Sequence, residues 1–136
     1  MTAVFADTAL FVALLARRDA HHATATEYIR DFEGRIVTTQ WIMVELANFF
    51  AASPVRQTIS ALIGEMAEDF RFLVIDANGV DYREGIALYA QRADKEWSLT
   101  DCISIVVARR AQIHRVLTTD HHFEQAGFEI LLKRPG

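Results

Sequence analysis

Short apolar, β-branched runs alternate along the chain with longer stretches in which apolar residues recur at helical spacing. The runs Thr2 to Ala6, Arg35 to Thr38, Phe72 to Ile75, Arg115 to Leu117 and Phe128 to Leu132 predict five strands. Between them, periodicity near 3.6 predicts helices over Thr8 to Arg17, Ala20 to Phe32, Gln40 to Ala52, Val55 to Asp69, Val80 to Arg92 and Leu99 to Gln112. Strands separated by one or two helices require crossover connections and pair in parallel. The predicted fold is therefore α/β: a three-layer sandwich with a mostly parallel five-stranded sheet and helices on both faces. At 136 residues, 51% of them hydrophobic, the chain fits a single domain spanning 1–136 with a core that needs no staples.

Four acids break this pattern where an apolar or neutral residue is expected. Asp7 is the only charge between Met1 and Arg17, Glu45 the only one between Arg35 and Arg56, and Asp101 the only one between Glu96 and Arg109. Asp120 follows Val116, Leu117, Thr118 and Thr119. A desolvated carboxylate stays ionised only when a cation or several hydrogen bonds compensate it. Ligands of open α/β sheets bind beyond the carboxyl ends of the strands, and Asp7 and Asp120 follow two predicted strands at that edge. Glu45 and Asp101 fall early in helices that can reach the same place. Each acid also has a structural explanation. Asp7 and Asp120 are plausible helix caps, and Ser98 with Asp101 makes a capping box. Glu45 is the exception, because its helical neighbours Trp41, Asn48, Phe49 and Ala52 predict a largely apolar stripe.

Composition narrows the partners. A net charge of −4 lacks the basic footprint of a dedicated nucleic-acid binder, so contact with RNA or DNA has to be local or metal-mediated. Arginine pairs at Arg17 with Arg18 and at Arg109 with Arg110 offer forked phosphate contacts. The single cysteine, Cys102, excludes an internal disulfide and suits a reducing cytoplasm, where it reads as a small core residue. No basic stretch precedes the first apolar run, and polar residues interrupt the window from Ile36 to Val55, so neither a signal peptide nor a membrane span is expected. The adjacent histidines His21 with His22 and His121 with His122 are expected to point apart and to bind no metal. The nine phenylalanines are expected to fill the core.

The strand-Asp-Thr opening Val4-Phe5-Ala6-Asp7-Thr8, the isolated Glu45, the segment Trp97-Ser98-Leu99-Thr100-Asp101-Cys102 and the closing Leu117-Thr118-Thr119-Asp120-His121-His122-Phe123 together resemble the PIN domain. More narrowly they resemble the VapC-type ribonuclease toxins. The resemblance implies that Asp7, Glu45, Asp101 and Asp120 are catalytic metal ligands with Thr8 as a hydroxyl helper. It implies an RNA substrate cut endonucleolytically to a 5′-phosphate and a 3′-hydroxyl, a cognate antitoxin that blocks the pocket, and a homodimer. Hard oxygen ligands select Mg²⁺ or Mn²⁺ over zinc.

Two other readings use the same residues differently. A receiver-type signalling domain would take Asp7 as metal ligand, Asp76 as phosphoacceptor and Lys133 as phosphate partner, leaving Glu45 and Asp101 idle. A PIN-like module that binds without cutting is the third, and a standalone nuclease outside any toxin pair is a variant of the first.

Overall fold

The computed structural model describes residues 2–132. Its elements run β1 (Ala3–Ala6), α1 (Thr8–Leu15), α2 (His22–Asp31), β2 (Arg35–Thr39), α3 (Gln40–Phe49), α4 (Arg56–Glu68), β3 (Phe72–Ile75), α5 (Gly79–Gln91), α6 (Leu99–Arg110), β4 (Arg115–Leu117), α7 (His121–Gln125) and β5 (Glu129–Ile130). The five strands form one sheet in the order β3-β2-β1-β4-β5, and every pairing is parallel. From β1 the chain steps outward through β2 to β3, then returns across both to β4 and continues to β5. Right-handed crossovers on a path that reverses direction put successive helices on opposite faces of the sheet. Helix contacts follow that division: α1, α3 and α4 form one connected group with α2, and α5, α6 and α7 form another.

The strands are short, two to five residues each. Val4, Phe5, Ala6, Ile36, Val37, Val116 and Leu117 are buried in the middle of the sheet, between Leu10, Phe11, Ile42 and Leu46 of the first helices and Ile103, Ile105 and Val107 of α6. Helices begin on side-chain caps at Thr39, Asn78, Ser98 and Asp120. Geometry fixes glycine at Gly127 and Gly85 among other positions. Gly127 turns the chain from α7 into β5 at φ +96°, and a side chain at Gly85 would strike Ile103 Cγ1 where α5 lies against α6.

Sequence expectations hold for all five strands and six helices, with ends displaced by a few residues. The seventh helix, α7, is absent from the predicted elements, although a turn or a helix cap was expected at Asp120, and Asp120 is its N-cap. The sheet is wholly parallel, not merely mostly so. The receiver topology has the strand order 2-1-3-4-5, which this chain does not share. Lys133, needed for that reading, lies outside the described residues.

Candidate metal and nuclease site

The strand order reverses between β1 and β4, and loops leaving two neighbouring strands in opposite directions open a crevice at their carboxyl ends. Asp7 follows β1 and Asp120 follows β4, so the topology places both acids at that crevice. A cleft there is lined by Asp7, Thr8, Val12, Asp19, His21, Glu45, Phe49, Thr119 and Asp120.

Asp7 occupies the N-cap position of α1, yet its side chain makes no cap hydrogen bond. Its carboxylate instead accepts a hydrogen bond from the Thr118 hydroxyl at 2.9 Å. Thr118 in turn accepts from the Asp120 amide at 3.0 Å, so one buried threonine ties the ends of β1 and β4 together. Burial pushes the Asp7 carboxyl up to about 7; the Thr118 hydrogen bond opposes that rise, and the charges of Asp101 and Glu45 add to it. Those two repulsions also show that Asp101 and Glu45 lie within electrostatic reach of Asp7. Glu45 accepts a hydrogen bond from the Thr8 hydroxyl, which fixes a carboxylate that would otherwise swing on a flexible stem.

On the far side of the crevice, Asp101 sits in the first turn of α6 within a complete capping box: Ser98 Oγ accepts from its amide, and its Oδ2 accepts from the Ser98 amide, each at 3.0 Å. Oδ2 also lies 3.1 Å from His122 Nδ1. Asp120 caps α7 by accepting from the His122 amide at 2.9 Å, and its Oδ1 is 3.4 Å from the same imidazole nitrogen. Trp97 Nε1 donates to Gln125 Oε1 at 2.9 Å and pins α7 against the start of α6. His122 thereby joins Asp101 to Asp120.

A PIN domain family model matches residues 4–129. The chain belongs to the PIN domain family. Solved structures share its fold, two of which are a VapC toxin and FitAcB. The VapC20 toxin of Mycobacterium tuberculosis, described as sarcin-ricin loop cleaving, matches with a TM-score of 0.83 at 20% identity, over 92% of this chain and 95% of its own. FitAcB from Neisseria gonorrhoeae matches with a TM-score of 0.65 at 14% identity, over 94% of this chain and 96% of its own. No curated protein sequence matches the chain.

Asp7, Glu45 and Asp120 thus line one cleft of this PIN domain, and Asp101 stands beside it, joined to Asp120 through His122 as Asp120 is joined to Asp7 through Thr118. Among the described residues, no lysine or arginine is in ion-pair contact with any of them; their ionisable contacts are histidines. A set of oxygen donors with a buried, mutually repelling member and no lysine or arginine paired to it suits a hard divalent cation, so the donor chemistry fits the metal dependence of the family. Asp7, Glu45, Asp101 and Asp120 are the residues that could hold it.

Several expectations need correction. Glu45 was expected on a largely apolar, buried stripe; its neighbours Asn48 and Phe49 are exposed, and the glutamate is only half-buried, so it faces the cleft and not the core. Phe49 is 65% exposed, unlike the core phenylalanines Phe5, Phe11 and Phe123, and its ring meets Phe50 edge-on at 4.9 Å. His121 and His122 were expected to point apart; their rings lie 4.7 Å from each other, and His122 enters the site. Of the arginine pairs, Arg110 is bound to Asp81 and Glu84, and Arg109 donates to the Ala126 carbonyl. Arg17 and Arg18 remain exposed, in the turn leading to Asp19 and His21 of the cleft. Asp76 lies with Trp41, Leu73 and Val74 in a separate hollow and takes no part in the site. The Cys102 thiol is pushed up by burial and by the Asp101 charge, which removes it as a nucleophile.

Sequence reasoning missed Thr118 and His122. Thr118 had a signal, a hydroxyl at the last step of an apolar strand next to Asp120. His122 became legible only with α7, because a turn or cap at Asp120 does not by itself fix which imidazole faces back.

Proposed function

We propose that this PIN domain is a metal-dependent endoribonuclease of the VapC toxin type, with Asp7, Glu45, Asp101 and Asp120 as its catalytic acids. The observation that carries the reading is the gathering of these carboxylates at the strand-order reversal with no lysine or arginine paired to them among the described residues. The fold likeness to a sarcin-ricin loop cleaving toxin supports an RNA substrate.

When bound, Mg²⁺ or Mn²⁺ supplies the positive charge that accepts the phosphate and activates a water. The protein supplies position. Thr8 holds Glu45 and Thr118 holds Asp7, so two carboxylates are presented with little rotational freedom. Water adds to phosphorus as the bond to the 3′ oxygen breaks; the 3′ oxygen takes up a proton and the phosphate stays on the 5′ side. Phe49 offers an exposed ring one helical turn from Glu45, on which a base flanking the scissile phosphate stacks. Arg17 and Arg18 reach the neighbouring phosphates from the α1–α2 turn.

The partners of this reading are a small antitoxin whose arginine enters the acidic cleft, and a second copy of the chain, in the cytoplasm. Exposed Val44, Leu73, Val80 and Tyr82 around the sheet edge give such partners apolar surface. Among the described residues no helix is long and apolar enough to cross a membrane.

The test is direct. Purified protein should cut looped or single-stranded RNA with Mg²⁺ or Mn²⁺ and stop in EDTA, and product ends should carry 5′-phosphate and 3′-hydroxyl. Full cleavage in EDTA removes the metal from the reaction. No cleavage of any RNA by metal-loaded protein, with RNA still bound, leaves a binding module in its place.

A further inference from the structure

The oxygen-rich half of the cleft does not account for the imidazoles at its rim. One donor atom from each of Asp120, His121 and His122 lies within 4.8 Å of the other two. The closest approaches are 3.4 Å from His122 Nδ1 to Asp120 Oδ1 and 3.8 Å from His121 Nδ1 to the same oxygen. His122 Nδ1 is also 3.1 Å from Asp101 Oδ2. Donors that share one ion at about 2.0–2.2 Å stand roughly 3–4.4 Å apart, depending on whether they are neighbours or opposite each other. The spacing therefore needs only a small turn of His121, whose side chain is 71% exposed.

We propose that Asp120, His121 and His122, with Asp101 beside them, form a second cation position at the α6–α7 edge of the cleft that takes a borderline transition metal such as Zn²⁺ or Mn²⁺ in preference to Mg²⁺. The position differs from the Asp7–Glu45 centre in donor chemistry. Imidazole nitrogen suits zinc and its neighbours, whereas Mg²⁺ keeps oxygen ligands and water. The two carboxylates supply the negative charge, and the two nitrogens supply the selectivity. The scaffold is fixed from behind, because the Asp101 capping box and the Trp97–Gln125 hydrogen bond hold α6 and α7 together whether or not an ion is present. The inference builds on the proposed nuclease site only through Asp101 and Asp120, and it survives if RNA turns out not to be cut.

Metal binding tests it without reference to activity. Calorimetric titration of the metal-stripped protein with Zn²⁺ should show a site whose Kd rises at least about tenfold in His121→Ala and in His122→Ala, while the Mg²⁺ affinity of His121→Ala stays within about twofold of the parent. Pulsed EPR of the Mn²⁺-loaded parent should show ¹⁴N coupling from imidazole, reduced in either variant and kept in His21→Ala, which controls for the other histidine pair. The exposure of His121 keeps its variant folded, so its result stands even if His122→Ala unfolds. Unchanged Zn²⁺ affinity in His121→Ala, or imidazole coupling that disappears with His21→Ala instead, overturns the proposal. Absence of RNA cleavage by a protein that still binds Zn²⁺ through His121 would sink the nuclease reading and leave this site intact.

Discussion

On the β1 side of the cleft, Asp7 and Glu45 are held chiefly by threonine hydroxyls, with a weaker contribution to Asp7 from the Thr8 amide; on the α7 side, Asp101 and Asp120 are held by backbone amides and an imidazole. The difference decides what each acid does when no cation is present. A hydroxyl donates one neutral hydrogen bond and leaves most of the carboxylate charge uncompensated. A helix-capping acid has two functions at once, since it satisfies first-turn amides and opposes the helix dipole. The β1 half is therefore free to serve function alone, at the expense of stability, and the α7 half is structural before it is anything else. A buried Asp7 pushed up to about 7 belongs to the first kind.

The largest effects should fall on the β1 half. Asp7→Asn and Glu45→Gln should each lower RNA cleavage at saturating Mg²⁺ by at least about a hundredfold, as for ligands that act as a unit. Single-turnover assays on gel-resolved RNA measure this. An Asp7→Asn enzyme within tenfold of the parent would move catalysis away from β1.

The next prediction concerns the stability of the metal-free protein. Asp7 has a folded pKa near 7 against an unfolded value near 3.8. Between those values the folded chain holds a proton that the unfolded chain has released, so stability falls as pH rises through that window. The loss approaches about 4 kcal/mol by pH 8, at about 1.4 kcal/mol for each unit of pKa difference. Urea melts in EDTA at pH 4.5 and pH 8 should show the decline in the parent and a flatter profile in Asp7→Asn. Equal slopes in the two proteins would show that Asp7 is not the strained group.

The same contrast explains what could be seen in the sequence. Every strand was legible because strand identity rests on local apolar runs bounded by polar residues, and Phe72 to Ile75 and Arg115 to Leu117 were placed without error. Isolation in the charge pattern picked out Asp7, Glu45 and Asp101 for the same reason. Their partners were not legible. Thr118 meets Asp7 across 111 positions of chain and His122 meets Asp101 across 21, and no local pattern encodes which hydroxyl or ring faces which acid. The five-residue α7 has too few residues to show a helical period. Phe49 looked like core because hydrophobicity alone does not distinguish a buried ring from one on a cleft wall.

Phe49 provides a smaller test on the β1 side. If its ring carries a base, Phe49→Ala should raise KM for RNA roughly 5- to 150-fold with kcat little changed, matching about 1–3 kcal/mol of stacking, and Phe49→Trp should restore binding. A variant that loses only antitoxin affinity, with KM intact, would assign the ring to a protein partner instead. Asp120→Asn keeps an acceptor for the His122 amide and should lower cleavage less than Asp7→Asn does.

The smallest effect gives the sharpest separation of the two halves, because at Asp101 both kinds of behaviour meet. Its charge opposes the dipole of α6, worth about 0.3–1 kcal/mol, and the same charge repels Asp7. Asp101→Asn keeps an oxygen for the Ser98 amide but removes the charge. At pH 5 the Asp7 carboxyl is protonated and the repulsion is absent, leaving the losses at the helix dipole and at the His122 contact, so the variant should melt below the parent. At pH 8 Asp7 is ionised and relief of the repulsion competes with that loss. The variant should then melt at or above the parent in EDTA, and Mn²⁺ should raise its melting temperature less than it raises the parent's. A cap with no part in the metal site predicts a lower melt at both pH values and an unchanged Mn²⁺ shift. Thermal melts of the two proteins under the four conditions decide between them, and a difference that keeps the same sign from pH 5 to pH 8 would place Asp101 wholly with the structural half of the cleft.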